Sequence, residues 1–448
     1  MSLTRALERA RTGRERAEAE FFEELRIPSV GTLVRHASDT RSNADWLLER
    51  FRRMGMTGRL FEHGGGMPTV IAEWMGRPGA PTLVLYGHYD VQPADPLELW
   101  DSPPFEPHVA DGYVFARGAS DNKGEHMACL KAAEHALEAG GPPVNLRFLI
   151  EGEEEGGGEV LSRLLQTEWE NVGGEFSLIC DGTLLQLLTG LRGNLYVEIE
   201  VFGARQDLHS GAFGGLAPNA LNTLALILAG LKDREGRVFI PGFYDDVRDP
   251  TPEEKAAWSR LPLTQETVEA YIGAPLEGES GYSIHERNFS RPTLDIHGVI
   301  GGFTERVGGK TVIPASGLAK LSMRLVPDQD PDRIFPELER YAKSLATPGT
   351  RVEVRKVGAA WPILIDVVHP GIRAAADAFE SAFGKRPDLV RAGYTIPVVA
   401  EFSRLPTHLI VTGFAREDDG AHAPNERMSL ENFHRGVEML LHLMWNLA

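Results

Sequence analysis

The sequence predicts a mostly parallel α/β domain interrupted by an inserted two-layer α+β domain of ferredoxin-like order, and three observations carry that prediction. Four apolar runs, Thr82–Tyr86, Val144–Ile150, Phe176–Cys180 and His408–Thr412, are short, continuous and bounded by polar or glycine residues. That is the pattern of strands buried on both faces, as in parallel sheets. Strand-like and helix-like segments alternate from residue 1 to about 190, which implies parallel pairing through crossover helices. Near Leu191 the texture changes, and Leu195-Tyr-Val-Glu-Ile-Glu-Val201 alternates with period two, as a sheet does when one face is buried.

Taken in order, Ala44–Arg53 places apolar groups at helical spacing and Gly55 lies where such a helix stops. Thr69–Trp74 and Thr82–Tyr86 then read as strands. A helix from Lys123 through Ala139 closes at Gly140-Gly141-Pro142-Pro143. After the change of texture, a helix from Pro218 to about Leu231 has proline at its first position and Leu221, Leu224, Leu228 and Leu231 on one stripe. An irregular stretch precedes alternating segments at Thr293–Val299 and Leu318–Val326, a helix at about Asp332–Leu345 and a strand at Arg351–Val357. The order β-α-β-β-α-β is that of a ferredoxin-like unit. Pro370–Phe383 is helical, and His408–Thr412 resumes the buried-strand pattern. The expected division is 1–190 and 359–448 for the first domain, with 191–358 inserted.

Composition sets the outer bounds. At 448 residues the chain suggests two domains, and 42% hydrophobic with 25% charged residues is ordinary for a globular protein. With 46 basic against 64 acidic residues, the net charge of −18 argues against a nucleic-acid or anionic-membrane partner. Cys129 and Cys180 both sit among apolar residues, so buried free thiols and a reducing compartment are expected. The N-terminal stretch is charged and helical in pattern, without the apolar core of a signal peptide. No apolar run nears the ~20 residues of a membrane span. A cytoplasmic protein is the expectation.

The chemistry lies where the buried strands stop. Gly87-His88-Tyr89-Asp90, Glu151-Gly-Glu-Glu-Glu155, Asp181 and Gly420-Ala-His422 each follow one of the four runs, and open α/β sheets bind ligands beyond the carboxyl ends of their strands. A glutamate run alone is usually a polar loop; four such segments at one sheet edge are not. The candidate ligands are His88, Asp121, Glu155, Asp181 and His422, an imidazole and carboxylate set suited to zinc, manganese or cobalt. Asp121, in a loop entering a helix, is the candidate to bridge two ions, and such a pair makes hydroxide available near neutral pH. Glu154, beside a ligand and left over in the count, fits a general base that later donates its proton. Asp90 is placed to hold the second nitrogen of His88. Two rival readings fail on spacing. Gly309-Lys310-Thr311 resembles the end of a phosphate loop, but the first required glycine falls at Thr304. Gly118-Ala-Ser120-Asp-Asn122 lacks the last glycine of a serine-hydrolase elbow.

The same segments resemble the M20 metallopeptidases, in particular their carnosinase-like dipeptidase branch. Gly87-His-Tyr-Asp-Val-Gln-Pro93, Arg117-Gly-Ala-Ser-Asp-Asn-Lys-Gly124, Glu151-Gly-Glu-Glu-Glu155, Asp207-Leu-His-Ser-Gly211, Lys310-Thr-Val-Ile-Pro314, Ser322-Met-Arg-Leu-Val-Pro327 and Gly420-Ala-His-Ala-Pro-Asn-Glu426 stand in family order across nearly the whole chain. The resemblance implies two divalent ions per subunit, one on His88 and Asp181, the other on Glu155 and His422, bridged by Asp121, with a bridging hydroxide and Glu154 as base. It implies that the inserted domain is a lid that also forms a homodimer, with His209 reaching the partner's active site to stabilise the oxyanion. It implies a carboxylate-binding role for Arg324, and substrate contacts at Thr311 and Thr395. The polar face of the strand carrying Arg324 fits that role independently. The implied substrates are dipeptides or short peptides, with N-acyl amino acids as the alternative on the same scaffold and a non-catalytic metal-binding protein as the remote one. Two departures stand out: Asn122 follows Asp121 where many relatives have a second aspartate, and Gly156-Gly157-Gly158 replaces a serine-containing turn.

Overall fold

The computed structural model describes residues 2–261 and 263–448. The chain divides into two compact units. The first comprises the chain up to Leu188, Ile365–Leu389 and Glu401–Ala448, and the second Thr189–Leu364 with Val390–Ala400. The segment 390–400, assigned from sequence to the closing part of the first domain, thus belongs to the second unit. Its side chains explain why: Arg391 pairs with Glu254, and Thr395 hydrogen-bonds Arg324.

The first unit is built on a six-stranded sheet in the order Thr57–Phe61, Thr69–Trp74, Asn145–Glu151, Thr82–His88, Phe176–Leu184, His408–Gly413. The last four strands are mutually parallel, and the first two join antiparallel at one edge. Those four are the apolar runs singled out above, and their alignment brings all their carboxyl ends to one edge. Val84, Leu85, Phe148, Leu149, Leu178, Ile179, Ile410 and Val411 are fully buried. Helix Lys123–Glu138 packs on the sheet beneath the C-terminal helix Leu430–Asn446.

The second unit holds a four-stranded antiparallel sheet in the order Thr293–Gly301, Ser316–Leu325, Gly193–Phe202, Arg351–Ala360. Numbered along the chain that order is 2-3-1-4, the ferredoxin-like arrangement. Leu195, Val197, Ile199, Leu321 and Met323 form its buried face with the helices Ala220–Leu231 and Pro331–Ser344. The first of these helices begins later than expected from Pro218. Asn219 caps it, its Oδ1 accepting the amides of Leu221 and Asn222, and an asparagine cap there leaves the proline outside. The stretch read as irregular contains three short helices, Pro252–Trp258, Gln265–Ile272 and Ile284–Phe289, each opened by a capping box at Thr251, Thr264 or Ser283.

Candidate metal centre and active site

Local backbone geometry aims each predicted ligand at the carboxyl edge of the parallel sheet. His88 closes its strand opposite Glu151. Gly87 precedes it because the backbone runs tightly past the next helix: a Cβ there would stand 2.6 Å from His126 Cβ and 2.8 Å from Asn122 Oδ1. Asp181 sits where the ladder with His408–Gly413 jumps from Cys180 opposite Thr412 to Leu184 opposite Gly413. The residues between are pushed out of register, which re-aims their side chains. Asp121 enters helix Lys123–Glu138 across a cis peptide to Asn122. Glu154 and Glu155 share one 3-10 turn just past the Asn145–Glu151 strand, and His422 stands in a loop with φ of 62°.

The ligands form two groups that share Asp121. One contains His88, Asp121 and Asp181, the other Asp121, Glu155 and His422, and within each the potential ligand atoms lie within 4.8 Å of one another. Asp121 turns Oδ1 to His88 Nε2 at 3.1 Å and Oδ2 to His422 Nε2 at 3.0 Å. Glu155 Oε2 lies 3.3 Å from His422 Nε2 and accepts from Gln92 Nε2 at 2.7 Å. His88 Nε2, close to Asp121 but outside hydrogen-bond geometry, is buried without a hydrogen-bond partner, and so is Glu155 Oε1. Orphaned buried polar atoms are costly. Here there is one in each group, a nitrogen and an oxygen, on residue types that ligate borderline divalent ions. The residues therefore fit a pair of cations bridged by Asp121.

Electrostatics agree. Burial, with repulsion from Asp121, lifts Asp181 to about 6. Burial lifts Glu154 to about 7 although His88 opposes it, and lifts Glu151 to about 8 although Tyr86 donates to it at 2.6 Å. Burial acts against charge on His88 too, yet Asp121 and Asp90 hold its pKa well above the usual histidine value. Contacts with Asp121 and Glu155 raise His422 to about 10. Burial works to raise Asp121, but its two histidines hold it well below the carboxylate range. Carboxylates and imidazoles shifted up together mark a pocket with excess negative charge, one that favours added cations.

Asp90 reaches His88 differently from expectation. His88 Nδ1 hydrogen-bonds the main-chain oxygen of Asp90 at 3.0 Å, with the carboxylate at 3.5 Å. That carboxylate accepts the amides of Glu154 (3.2 Å) and Glu155 (3.1 Å), drawn there by the free N–H groups that open the turn. Asn122, buried, clamps two strand ends. Its Oδ1 accepts the His88 amide at 3.1 Å, and its Nδ2 donates to the Cys180 carbonyl at 2.7 Å and to Asp181 Oδ1 at 3.3 Å.

One residue carries more of the site than sequence reasoning assigned to it. The buried carboxylate of Glu426 accepts Ser120 N, Ser120 Oγ and Asp121 N on Oε1, and Arg117 NH1 and Gly118 N on Oε2, all at 2.7–2.9 Å. It ties the loop of His422 to the loop of Asp121. The available signal was its place at the end of the Gly420–Glu426 block. Glu125, likewise unassigned, accepts the amides of Phe414 (2.7 Å) and Ala415 (3.0 Å) and so holds the chain leaving the last parallel strand.

The remaining candidates lie in the second unit, in two places. Arg324 NH1 donates to Thr395 Oγ1 at 2.8 Å, and Thr395 Oγ1 donates to the Arg192 carbonyl at 2.7 Å. His209 and Thr311 come together where Leu208–His209 pairs with Val312–Ile313, Ser210 donating to the Thr311 carbonyl at 3.1 Å. His209 is exposed, and its Nδ1 accepts the Gly211 amide at 3.0 Å, so the neutral ring carries its proton on Nε2.

Comparison with known proteins agrees with this geometry. The sequence profile described as "Peptidase family M20/M25/M40" matches residues 84–446. The chain is 32% identical over 454 residues to the Cys-Gly metallodipeptidase dug1 of Schizosaccharomyces pombe, covering 94% of this chain and 93% of that protein. It is 32% identical over 391 residues to the Beta-Ala-His dipeptidase of Rattus norvegicus, covering 83% and 78%. Among solved structures, an M20 family metallo-carboxypeptidase from Sulfolobus solfataricus superposes with a TM-score of 0.84 at 29% identity, over 96% of this chain and 99% of that one.

Proposed function

The chain belongs to the peptidase family M20/M25/M40, and from that premise we propose that it is a dipeptidase or short-peptide carboxypeptidase. It would hydrolyse the amide bond next to a free C-terminal carboxylate with two divalent ions. The observation that carries this reading is the pair of ligand groups sharing Asp121, and two relatives named as dipeptidases support it.

In this reading His88 and Asp181 would hold one ion and Glu155 and His422 the other, with Asp121 common to both groups. The ions are zinc or manganese, with cobalt an allowed substitute. When bound they supply Lewis acidity and a water acidic near neutral pH. Glu154 takes the proton from the attacking water and passes it to the leaving amine. Asp90 orients His88 and fixes the turn of Glu154. Arg324 receives the substrate carboxylate, for which its planar fork is shaped. Thr395 holds that guanidinium in place, and Thr311 contacts substrate. His209, its Nε2–H free to donate, stabilises the oxyanion from a second copy of the chain. The outer strand Thr293–Gly301 carries exposed Ile296, Val299 and Ile300, a surface suited to pairing copies. A cytoplasmic location completes the reading, supported by the free, buried Cys129 and Cys180. Among the described residues no helix is long and apolar enough to cross a membrane.

The test is hydrolysis by the metal-stripped protein with zinc, manganese or cobalt restored, over dipeptides, a tripeptide, N-acetyl and N-succinyl amino acids and a dipeptide amide. Metal-dependent cleavage of dipeptides but not of the amide is the expected result. Cleavage of N-acyl substrates alone would move the protein to the deacylases, and no cleavage with any ion would reject an enzymatic role.

A further inference from the structure

The second unit contains a cavity that the proposed chemistry leaves unused. Its volume is about 360 Å³, enough for one amino-acid side chain. Leu263, Val268, Leu276, Ile284 and Pro292 supply apolar wall, and Arg192, Arg287 and Arg291 reach it with Glu277 and Glu279. The charges do not cancel. Arg291 is spent in a two-bond pair with Glu279, both contacts 2.8 Å, and Glu277 is exposed. Arg192 and Arg287 make no ion pair among the described residues. Arg287 Nε is buried with no hydrogen-bond partner. Arg192 gives Nε to the Gly393 carbonyl at 2.7 Å, and its NH1 has only two carbonyl oxygens at 3.5 Å. In a chain of net charge −18, two half-buried arginines without a paired carboxylate leave positive charge at this cavity for an anion to meet.

Sheet register places this cavity beside the proposed carboxylate anchor. Thr293, which lines it, lies directly opposite Arg324, and so, on the other side, does Asn194, two residues from Arg192. Residues paired across strands or two apart along one share a face of the sheet, with cross-strand Cβ atoms about 5 Å apart. Asn194, Thr293 and Arg324 therefore share one face, opposite the helices, and Arg192 lies just before the strand that carries Asn194. Burial and the nearby charge of Arg324 lower Arg192 to about 10, so the two cations sense each other. The other carboxylate near them, Asp295, is 3.5 Å from Lys232.

We propose that this cavity receives the side chain of the substrate's C-terminal residue and selects an acidic one, glutamate above all, with Arg192 and Arg287 meeting its carboxylate and the apolar wall its methylenes. This rests on the dipeptidase reading and adds specificity to it.

The experiment measures kcat/KM for Ala-Glu, Ala-Gln and Ala-Leu with the metal-loaded protein, its Arg287→Met variant and its Arg287→Lys variant. Gln matches Glu in size and shape, so their ratio isolates charge. We expect Ala-Glu to exceed Ala-Gln by tenfold or more, mainly through KM. The ratio should fall to near one in Arg287→Met and recover substantially in Arg287→Lys, a pattern a merely structural arginine would not produce. If dipeptides are cleaved with Ala-Gln equal to Ala-Glu, or if Arg287→Met keeps the full ratio, the pocket assignment is wrong and the dipeptidase reading stands. If none of the three is cleaved with any ion, the dipeptidase reading falls and the pocket assignment falls with it.

Discussion

Replacing Glu426 with glutamine should loosen the metal centre without touching a ligand. In the native chain five donors converge on this one buried carboxylate. Glutamine keeps an oxygen for one side but points an NH2 group at the other. At best it preserves the three contacts of Ser120 and Asp121 and sets its amide hydrogens against Arg117 NH1 and the Gly118 amide. Two charge-assisted bonds of about 1.5–3 kcal/mol each are then lost, and the Arg117 charge stays buried over the Trp100 ring with Pro93 O at 3.2 Å but no carboxylate. The expected loss is about 3–5 kcal/mol, the range for breaking a buried pair by removing one partner. Because Glu426 joins the loops carrying Asp121 and His422, affinity for zinc or manganese should also fall, roughly 10–100-fold as for other residues that orient ligands. Denaturant unfolding of the metal-free protein and competition titration with a chelating dye measure the two effects separately. A variant within about 1 kcal/mol of the parent in stability and within twofold in metal affinity would refute this account of the clamp.

Other outcomes follow from the same structure. Glu154→Gln should retain both ions, counted by elemental analysis, while kcat falls about 10²–10⁴-fold, the usual contribution of a positioned acid–base group. Near-full turnover would remove Glu154 from the mechanism. Inactive Glu154→Gln and His209→Ala proteins, mixed after dissociation and reassociation, should regain part of the activity through hybrid dimers; no recovery would place His209 outside its partner's chemistry. Buried His135 is held at about 4 by burial and then by the charge of Lys131. Its folded pKa lies below the unfolded value of 6.5, so the folded state binds fewer protons between those limits. The stability it contributes is present above pH 6.5 and is lost as pH falls toward 4, at most about 3 kcal/mol. His135→Gln should flatten the stability–pH curve in that window, and an unchanged slope would count against the assignment.

What could be read from sequence follows the range of the forces involved. The gathering of His88, Asp121, Glu155, Asp181 and His422 was legible because each follows a buried run or opens a helix, and both patterns are local. Pro218 misled because an asparagine cap outcompetes a proline one residue earlier. The helices between residues 252 and 289 escaped because none is long enough to show a stripe, although Thr251, Thr264 and Ser283 with their partners three residues on were visible capping signals. Glu426 and Glu125 escaped for a different reason. Each satisfies amides roughly 300 residues away in the chain, and a long-range acceptor leaves no periodicity. Thr395 was named as a contact, but only the folded chain shows it bonded to both Arg324 and the Arg192 backbone.

The excursion of Val390–Ala400 into the second unit has a consequence for how this protein can be taken apart. The chain passes between the units four times, at 188/189, 364/365, 389/390 and 400/401. A fragment covering 189–364 would carry the whole ferredoxin-like sheet yet lack the hydroxyl that holds Arg324. Transplanting the inserted domain into another scaffold as one continuous segment would therefore move the arginine without its brace. Any recombination, natural or designed, that is to keep Arg324 braced has to bring a short remote stretch along as well.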